Sequence, residues 1–265
     1  MKKIFFLFFI LPFLTGCSKE TAPLPEPSPV GGILSVRSQA ALSNEPQSAA
    51  EVPSKAATRA AGDAALTYTF EAWTRDANSR CVLHKTTSGT LTEAAIEIAL
   101  IPGNYDFLFW ADYGLGHYNT SDLRQVTLAG APYVPGNDRD AFACVLKGVD
   151  WNGGNGVGAT LTRPLAKLTM QNTTPFTDAK VVSVEYRSIP TRYDVLSGEA
   201  SDLRTVRLTF PNTTAGSVTV GEDFLFVPSD GQNAALTMTV SGVTKTLDVL
   251  QLEPNHKTNV TATFE

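Results

Sequence analysis

The chain has 265 residues, of which 18% are charged, with a formal net charge of −5 and no basic stripe. This balance argues against a nucleic-acid partner, and the length is enough for one large or two small β domains behind a leader. Short Thr-, Val- and Leu-rich runs are punctuated by 20 Gly and 16 Pro, and no window of helical period is long enough for a helix, so the composition predicts an all-β protein.

In chain order, Lys2 and Lys3 precede an apolar run from Ile4 to Leu14, and small residues lead to Cys17. A basic start, a short apolar stretch and a small-residue cleavage site form an export signal, and the run is short for a bilayer span. Leu14-Thr15-Gly16-Cys17 resembles a bacterial lipobox, which implies cleavage before Cys17 and lipid on its sulfur and its new N-terminus. An ordinary signal peptide with an incidental cysteine is the alternative. Lys19 and Glu20, directly after, look like the surface-export signal of Bacteroidetes lipoproteins. Residues 1–17 are thus read as a lipoprotein signal peptide, and the rest as lying outside the inner membrane, held by outer-membrane lipid through Cys17.

Residues 18–61 read as a tether, opened by the extended spacer of Pro23, Pro25, Pro27 and Pro29. One piece breaks the pattern. From Gly32 to Arg37, Leu34 and Val36 fall on one strand face, and Ser35 and Arg37 on the other. An isolated strand centred on Ile33, Leu34, Ser35 and Val36 must pair with something to be stable. Further on, small residues surround Arg59 and Ala60, the composition of a proteolytic site.

From Ala65 the apolar residues alternate. Strands are predicted at Leu66 to Glu71, Arg80 to Lys85 and Ile96 to Leu100, and the last is expected to turn at Pro102-Gly103-Asn104 into Tyr105 to Trp110 as a hairpin. Tyr105 to Trp110 is apolar on nearly both faces, so it belongs at the centre of its sheet. Leu123 to Leu128 and Ala141 to Leu146 follow. Ala159 to Gln171 contains Pro164, which predicts an edge, a bulge or a bend between sheets. Asn172 to Pro175 reads as a domain boundary. Beyond it, strands are expected at Val181 to Tyr186, Thr205 to Phe210, Phe224 to Val227, Ala235 to Val240, Thr244 to Leu250 and Asn255 to Phe264. The sum is two sandwiches of about seven short strands each, at 62–173 and 174–265.

The sequence contains no enzyme motif and calls for no cofactor. His84, His117 and His256 lie far apart, without metal-site spacing. Asp138 and Asp140 lack the rest of a calcium ligand set and read as a solvated turn. Trp73, Trp110, Trp151, Tyr113, Tyr118 and Tyr133 are either a glycan platform or core and loop packing, with Trp110 placed in a strand. Cys81 and Cys144 form either an exported disulfide or two separate thiols.

An ordered set of segments carries a family resemblance. Phe107 to Asp112, Tyr118 to Leu123, Arg139 to Phe142, Arg163 to Leu168, Phe224 to Pro228 and Asn255 to Val260 together resemble the fimbrillin-like lipoproteins of Bacteroidetes, subunits of type V pili. The resemblance implies two transthyretin-like Greek-key β-sandwich domains. It also implies a route: export as a lipoprotein, cleavage after an arginine by a trypsin-like surface protease, loss of the first strand, and strand exchange with other pilus subunits in a fimbria. Ile33 to Val36 match the removable strand, and Arg59 and Ala60 the cut. Shaft subunits of that family usually supply a donor from C-terminal strands. Here Asn259, Val260, Thr261, Ala262, Thr263 and Phe264 would have to swing out, or the chain is a tip or anchor subunit. The competing expectation is a monomeric surface lipoprotein that binds glycan or another host ligand.

Overall fold

A computed structural model describes residues 27–39, 65–129, 134–154 and 156–264. Cys17, Arg59 and Ala60 lie outside them. In chain order the strands are β1 Val30–Ser38, β2 Ala65–Thr74, β3 Cys81–Thr90, β4 Ala94–Leu100, β5 Gly103–Asp112, β6 Tyr118–Asn119, β7 Val126–Leu128 and β8 Ala141–Trp151. They continue with β9 Gly158–Leu161, β10 Leu165–Asn172, β11 Val182–Asp194, β12 Glu199–Phe210, β13 Thr219–Phe226, β14 Gln232–Val240, β15 Val243–Leu252 and β16 Lys257–Ala262.

The fold is all-β sandwich, and its two halves share one strand order. In the first half a β4-β1-β9 sheet accompanies a β3-β2-β5-β8 sheet. In the second a β13-β10-β16 sheet accompanies strands ordered β12-β11-β14-β15. The small sheets agree in direction as well. β1 runs antiparallel to β4 and parallel to β9, and β10 runs antiparallel to β13 and parallel to β16. Each half therefore opens with a strand that becomes the centre of its small sheet. β6 and β7 leave the first half and extend the second half's large sheet, with Val126 and Thr127 paired to Tyr193 and Arg192 of β11.

Alternation explains the two cores. β4 buries every second residue, among them Ile96, Ile98 and Leu100, and packs with Phe70, Phe107 and Phe109 of the large sheet. β14 and β11 do the same in the second half with Leu236, Met238, Val184 and Tyr186. β5 is buried on both faces, as its sequence predicts. Phe107 and Phe109 enter the first core, while Leu108 and Trp110 face a third cluster with Tyr118, Tyr193, Phe224 and Phe226. This third cluster joins the halves, with the Trp110 ring centroid 5.2 Å from that of Tyr118 and 6.2 Å from that of Phe226.

Several expectations change. β4 and β5 do not form a hairpin. They belong to opposite sheets, and the Pro102 turn is a corner crossing the sandwich, closed by the Tyr105 hydroxyl on the Ile101 carbonyl at 2.7 Å. A strand apolar on both faces takes β2 and β8 as neighbours, which leaves the amphipathic β4 to pair with β1. Leu123 to Gln125 form a 3-10 turn, capped by the Asp122 carboxylate, and only Val126–Leu128 are strand. Pro164 marks a bend between sheets, because β9 lies in the first half and β10 in the second. Hydrogen bonding thus moves the chain from one core to the other at Arg163-Pro164, ahead of β10, and Asn172 to Pro175 form a connection inside the second half.

Cys81 and Cys144 are free thiols. They sit on β3 and β8, the outer strands of a four-stranded sheet. Three strand spacings of about 4.8 Å separate those strands, against a Cα separation below about 7 Å in a disulfide. Non-reducing mass spectrometry of the exported protein should find two unpaired thiols. Shielding from water and the Glu71 carboxylate push the Cys81 thiol up to about 11. Iodoacetamide at pH 8 should therefore modify it on the order of tenfold more slowly than a free cysteine, the smaller thiolate fraction being partly offset by the greater nucleophilicity of a high-pKa thiolate.

Candidate functional site

The site is the slot occupied by β1. One edge of β1 pairs with β4 from Val30↔Leu100 to Val36↔Ala94. The other pairs with β9 from Ser35 to Ser38, and Gly32 forms a bridge with Gly154. β1 is thus a central strand, hydrogen-bonded on both sides. Its alternation is the one read in the sequence: Leu34 (0% exposed) and Val36 (3%) lie in the first core, while Ile33, Ser35 and Arg37 face out.

Further contacts hold the two ends. At the start, Trp151 Nε1 donates to the Val30 carbonyl at 3.3 Å and Gly154 N to the Gly31 carbonyl at 3.1 Å. At the end, Ser38 N donates to Leu91 O at 2.9 Å, Gln39 N to Leu161 O at 2.8 Å, and Arg37 Nε to Thr160 Oγ1 at 3.0 Å. The Ser38 hydroxyl lies 3.2 Å from the Tyr68 hydroxyl, which donates to Thr90 O at 2.6 Å. Burial pushes the Tyr68 phenol up, opposed by its Ser38 hydrogen bond. An open cavity of about 440 Å³ lies over the second part of β1, lined by Val36, Arg37, Glu93 and Thr160 among others.

The remaining residues of interest are dispersed. Val260, Ala262 and Phe264 face the second core, where β16 is an edge strand, and Phe264 N donates to Asn172 Oδ1 at 3.0 Å. Asn259, Thr261 and Thr263 are exposed. His84 pairs with Glu71, His117 with Asp138 and His256 with Glu253, at 2.9, 3.3 and 3.7 Å. Among the described residues no three His, Cys, Asp or Glu side chains gather as a metal site. Asp140 is no solvated turn residue. It is buried and accepts two hydrogen bonds from Arg163, at 2.6 and 2.7 Å. Trp110, Tyr118 and Trp151 are buried, and Trp73 lies under the Arg124 guanidinium at 4.6 Å, so these aromatics form no exposed platform. Tyr133 lies outside the described residues. The contact of Trp151 and Gly154 with Gly32 has no sequence signature, because Gly31-Gly32 reads simply as the start of a strand.

The fold and the slot define a β-sandwich protein whose first strand among the described residues sits at the middle of a sheet and is separated from the next by residues 39–64. The chain belongs to a family described as a family of unknown function (DUF6562), whose model matches residues 35–264. Residues 1–18 match the prokaryotic membrane lipoprotein lipid attachment site, so the chain carries a membrane anchor signal. No curated protein matches the sequence. Among solved structures, a candidate adhesin from Bacteroides ovatus is similar with a TM-score of 0.54 at 8% identity, over 88% of this chain and 86% of that one. A second candidate adhesin from Bacteroides ovatus has a TM-score of 0.50 at 9% identity, over 96% and 95%. A candidate polysaccharide-binding protein from Bacteroides thetaiotaomicron has a TM-score of 0.50 at 12% identity, over 82% and 80%. At these identities the likeness concerns the fold.

Proposed function

We propose that this protein is a structural subunit of a cell-surface fimbria. It is exported as a lipoprotein through Cys17 to the outer membrane and assembled by strand exchange after a trypsin-like protease cuts near Arg59. The observation that carries this reading is the connectivity of β1. Its counterpart in the second half, β10, is joined to β9 through residues 162–164 and to β11 through residues 173–181. β1 is joined to β2 only through residues 39–64. A cut there leaves β1 held by non-covalent contacts alone. Its departure would expose the facing edges of β4 and β9 and the core sites of Leu34 and Val36, the features that a replacement strand recognises by main-chain hydrogen bonds and alternating side chains. The adhesin descriptions of the two Bacteroides ovatus proteins accord with a surface role.

Trypsin treatment of the purified precursor should cut near Arg59 and yield a species that forms higher oligomers, alone or with other subunits, and Arg59→Ala should block both events. Polymerisation of the variant, or cut protein that stays monomeric with other subunits added, would return the choice to an anchor subunit or a glycan-binding lipoprotein. Separately, Cys17→Ser should abolish the lipid mass and release the protein from membranes. Unchanged fractionation would remove Cys17 as the anchor.

A further inference from the structure

We propose that the β1 slot selects its occupant by a glycine, and that the strand entering it is one of another chain with the pattern Gly-x-apolar-x-apolar. The inference rests on the strand-exchange reading above and specifies its partner. Gly32, Leu34 and Val36 lie on one face of β1, directed into the first core. At the last two positions the slot offers apolar sites. At the first it offers no room: a Cβ on residue 32 would collide with the carbonyl oxygen of Gly154 and with the indole of Trp151.

Neither neighbour is free to withdraw. Trp151 is 3% exposed and packs against Phe107 of β5 with ring centroids 6.2 Å apart, a contact that does not depend on β1. Gly154 has a φ of +99°, a left-handed conformation open mainly to glycine, and any strand that re-forms the main-chain bond from Gly154 N, made here to the Gly31 carbonyl, brings its next residue back against the same Gly154 carbonyl oxygen. The obstruction is therefore backbone plus a buried ring. Gly31 supplies the internal contrast, because a Cβ there would meet only the Ile98 carbonyl oxygen, at an ordinary 3.8 Å.

The requirement bears on this chain's own last strand. From Thr258 to Phe264 the apolar residues Val260, Ala262 and Phe264 alternate as an occupant's should. Setting Val260 and Ala262 in the Leu34 and Val36 sites puts Thr258 at the glycine site, and setting Ala262 and Phe264 there puts Val260 at it. Moving Phe264 to the Leu34 site puts Ala262 at the glycine site. Each of these registers brings a Cβ against Gly154 and Trp151. β16 of a second copy is thus a poor occupant, carrying at best the penalty of an alanine at the glycine site.

The test uses the full chain with a specific protease site placed within residues 40–64, nicked so that β1 stays in its slot without a covalent link. Labelled synthetic peptides in excess then compete for the slot, read by anisotropy and by co-elution on gel filtration. The peptides span residues 27–39 as wild type, Gly31→Ala, Gly32→Ala and Gly32→Val, with a further peptide of residues 255–265. The wild-type and Gly31→Ala peptides should enter equally well. The Gly32→Ala peptide should bind roughly fivefold to a hundredfold more weakly, the range expected of an overpacked methyl. The Gly32→Val peptide should not enter, and the 255–265 peptide should bind no better than the Gly32→Ala peptide. Equal binding of the Gly31→Ala and Gly32→Ala peptides, or binding of the 255–265 peptide as tight as that of the wild-type peptide, would overturn the glycine rule while leaving strand exchange in place. Failure of the wild-type peptide itself to enter would overturn strand exchange and this inference with it.

Discussion

Replacing Arg163 with alanine should destabilise the protein by about 3–5 kcal/mol, the cost of stranding a buried charge. The Arg163 side chain is 3% exposed and grips Asp140 through Nε and Nη2, while Nη1 donates to Asn255 Oδ1 at 2.7 Å. Its guanidinium lies 5.3 Å from the Phe142 ring and 5.5 Å from that of Phe224. It sits where the chain passes between halves, and ties the residue before β8 to one before β16. Alanine would leave the Asp140 carboxylate buried and unpaired. An apolar replacement of both partners, Arg163→Met with Asp140→Leu, should recover most of the loss, because no charge is then stranded. Urea unfolding of the three variants measures the difference.

The pH dependence has a definite sign. Burial already holds the Asp140 carboxyl above the usual range, against the pull of Arg163, and removing Arg163 raises it further. A carboxyl raised in the folded state favours folding below its unfolded value, and that contribution is lost as pH rises through the folded value. The deficit of Arg163→Ala should therefore be greatest near neutrality and shrink on acidification. A deficit that stays constant with pH would show that the cost comes from lost packing and not from the stranded carboxylate.

Leu34→Ala should cost about 2–5 kcal/mol, the range for emptying a fully buried leucine site. Ile33→Ala, one residue away on the outward face and 37% exposed in the parent, should stay within about 0.5 kcal/mol. Because residues 39–64 are the only covalent link from β1 to β2, the loss at Leu34 should concentrate on the slot. Amide exchange in β1 and in the paired β4 residues Ile96 and Ile98 should quicken before exchange in β14 or β11 of the other half. Equal losses from the two substitutions would contradict the assignment of the faces of β1.

The faces of β1, the central place of β5 and an interruption of the ladder at Pro164 were legible in the sequence, because each depends on local rules; that the interruption is a bend between sheets was decided by the fold. Side chains alternate with a period of two, a strand apolar on both faces has to be interior, and proline has no N–H to give a ladder. The export signal was legible for the same reason, as charge, apolar length and small residues follow one another directly. Pairing is a different matter. Alternation in Ile96 to Leu100 shows that one face is buried, but not whether β1 or β5 lies alongside, and the nearer strand in sequence was not the partner. Asp140 and Arg163 are 23 residues apart, and Gly32 and Trp151 more than a hundred, so neither contact leaves a mark on its neighbours in the chain. The same holds for the passage between cores ahead of β10, which Asn172-Thr-Thr-Pro175 imitates with good turn residues. Local steric and solvation preferences write the strands and their faces into the sequence. The choice of sheet, the buried ion pair and the glycine-sized gap in the β1 slot exist only once distant segments compete for the same edges and the same volume.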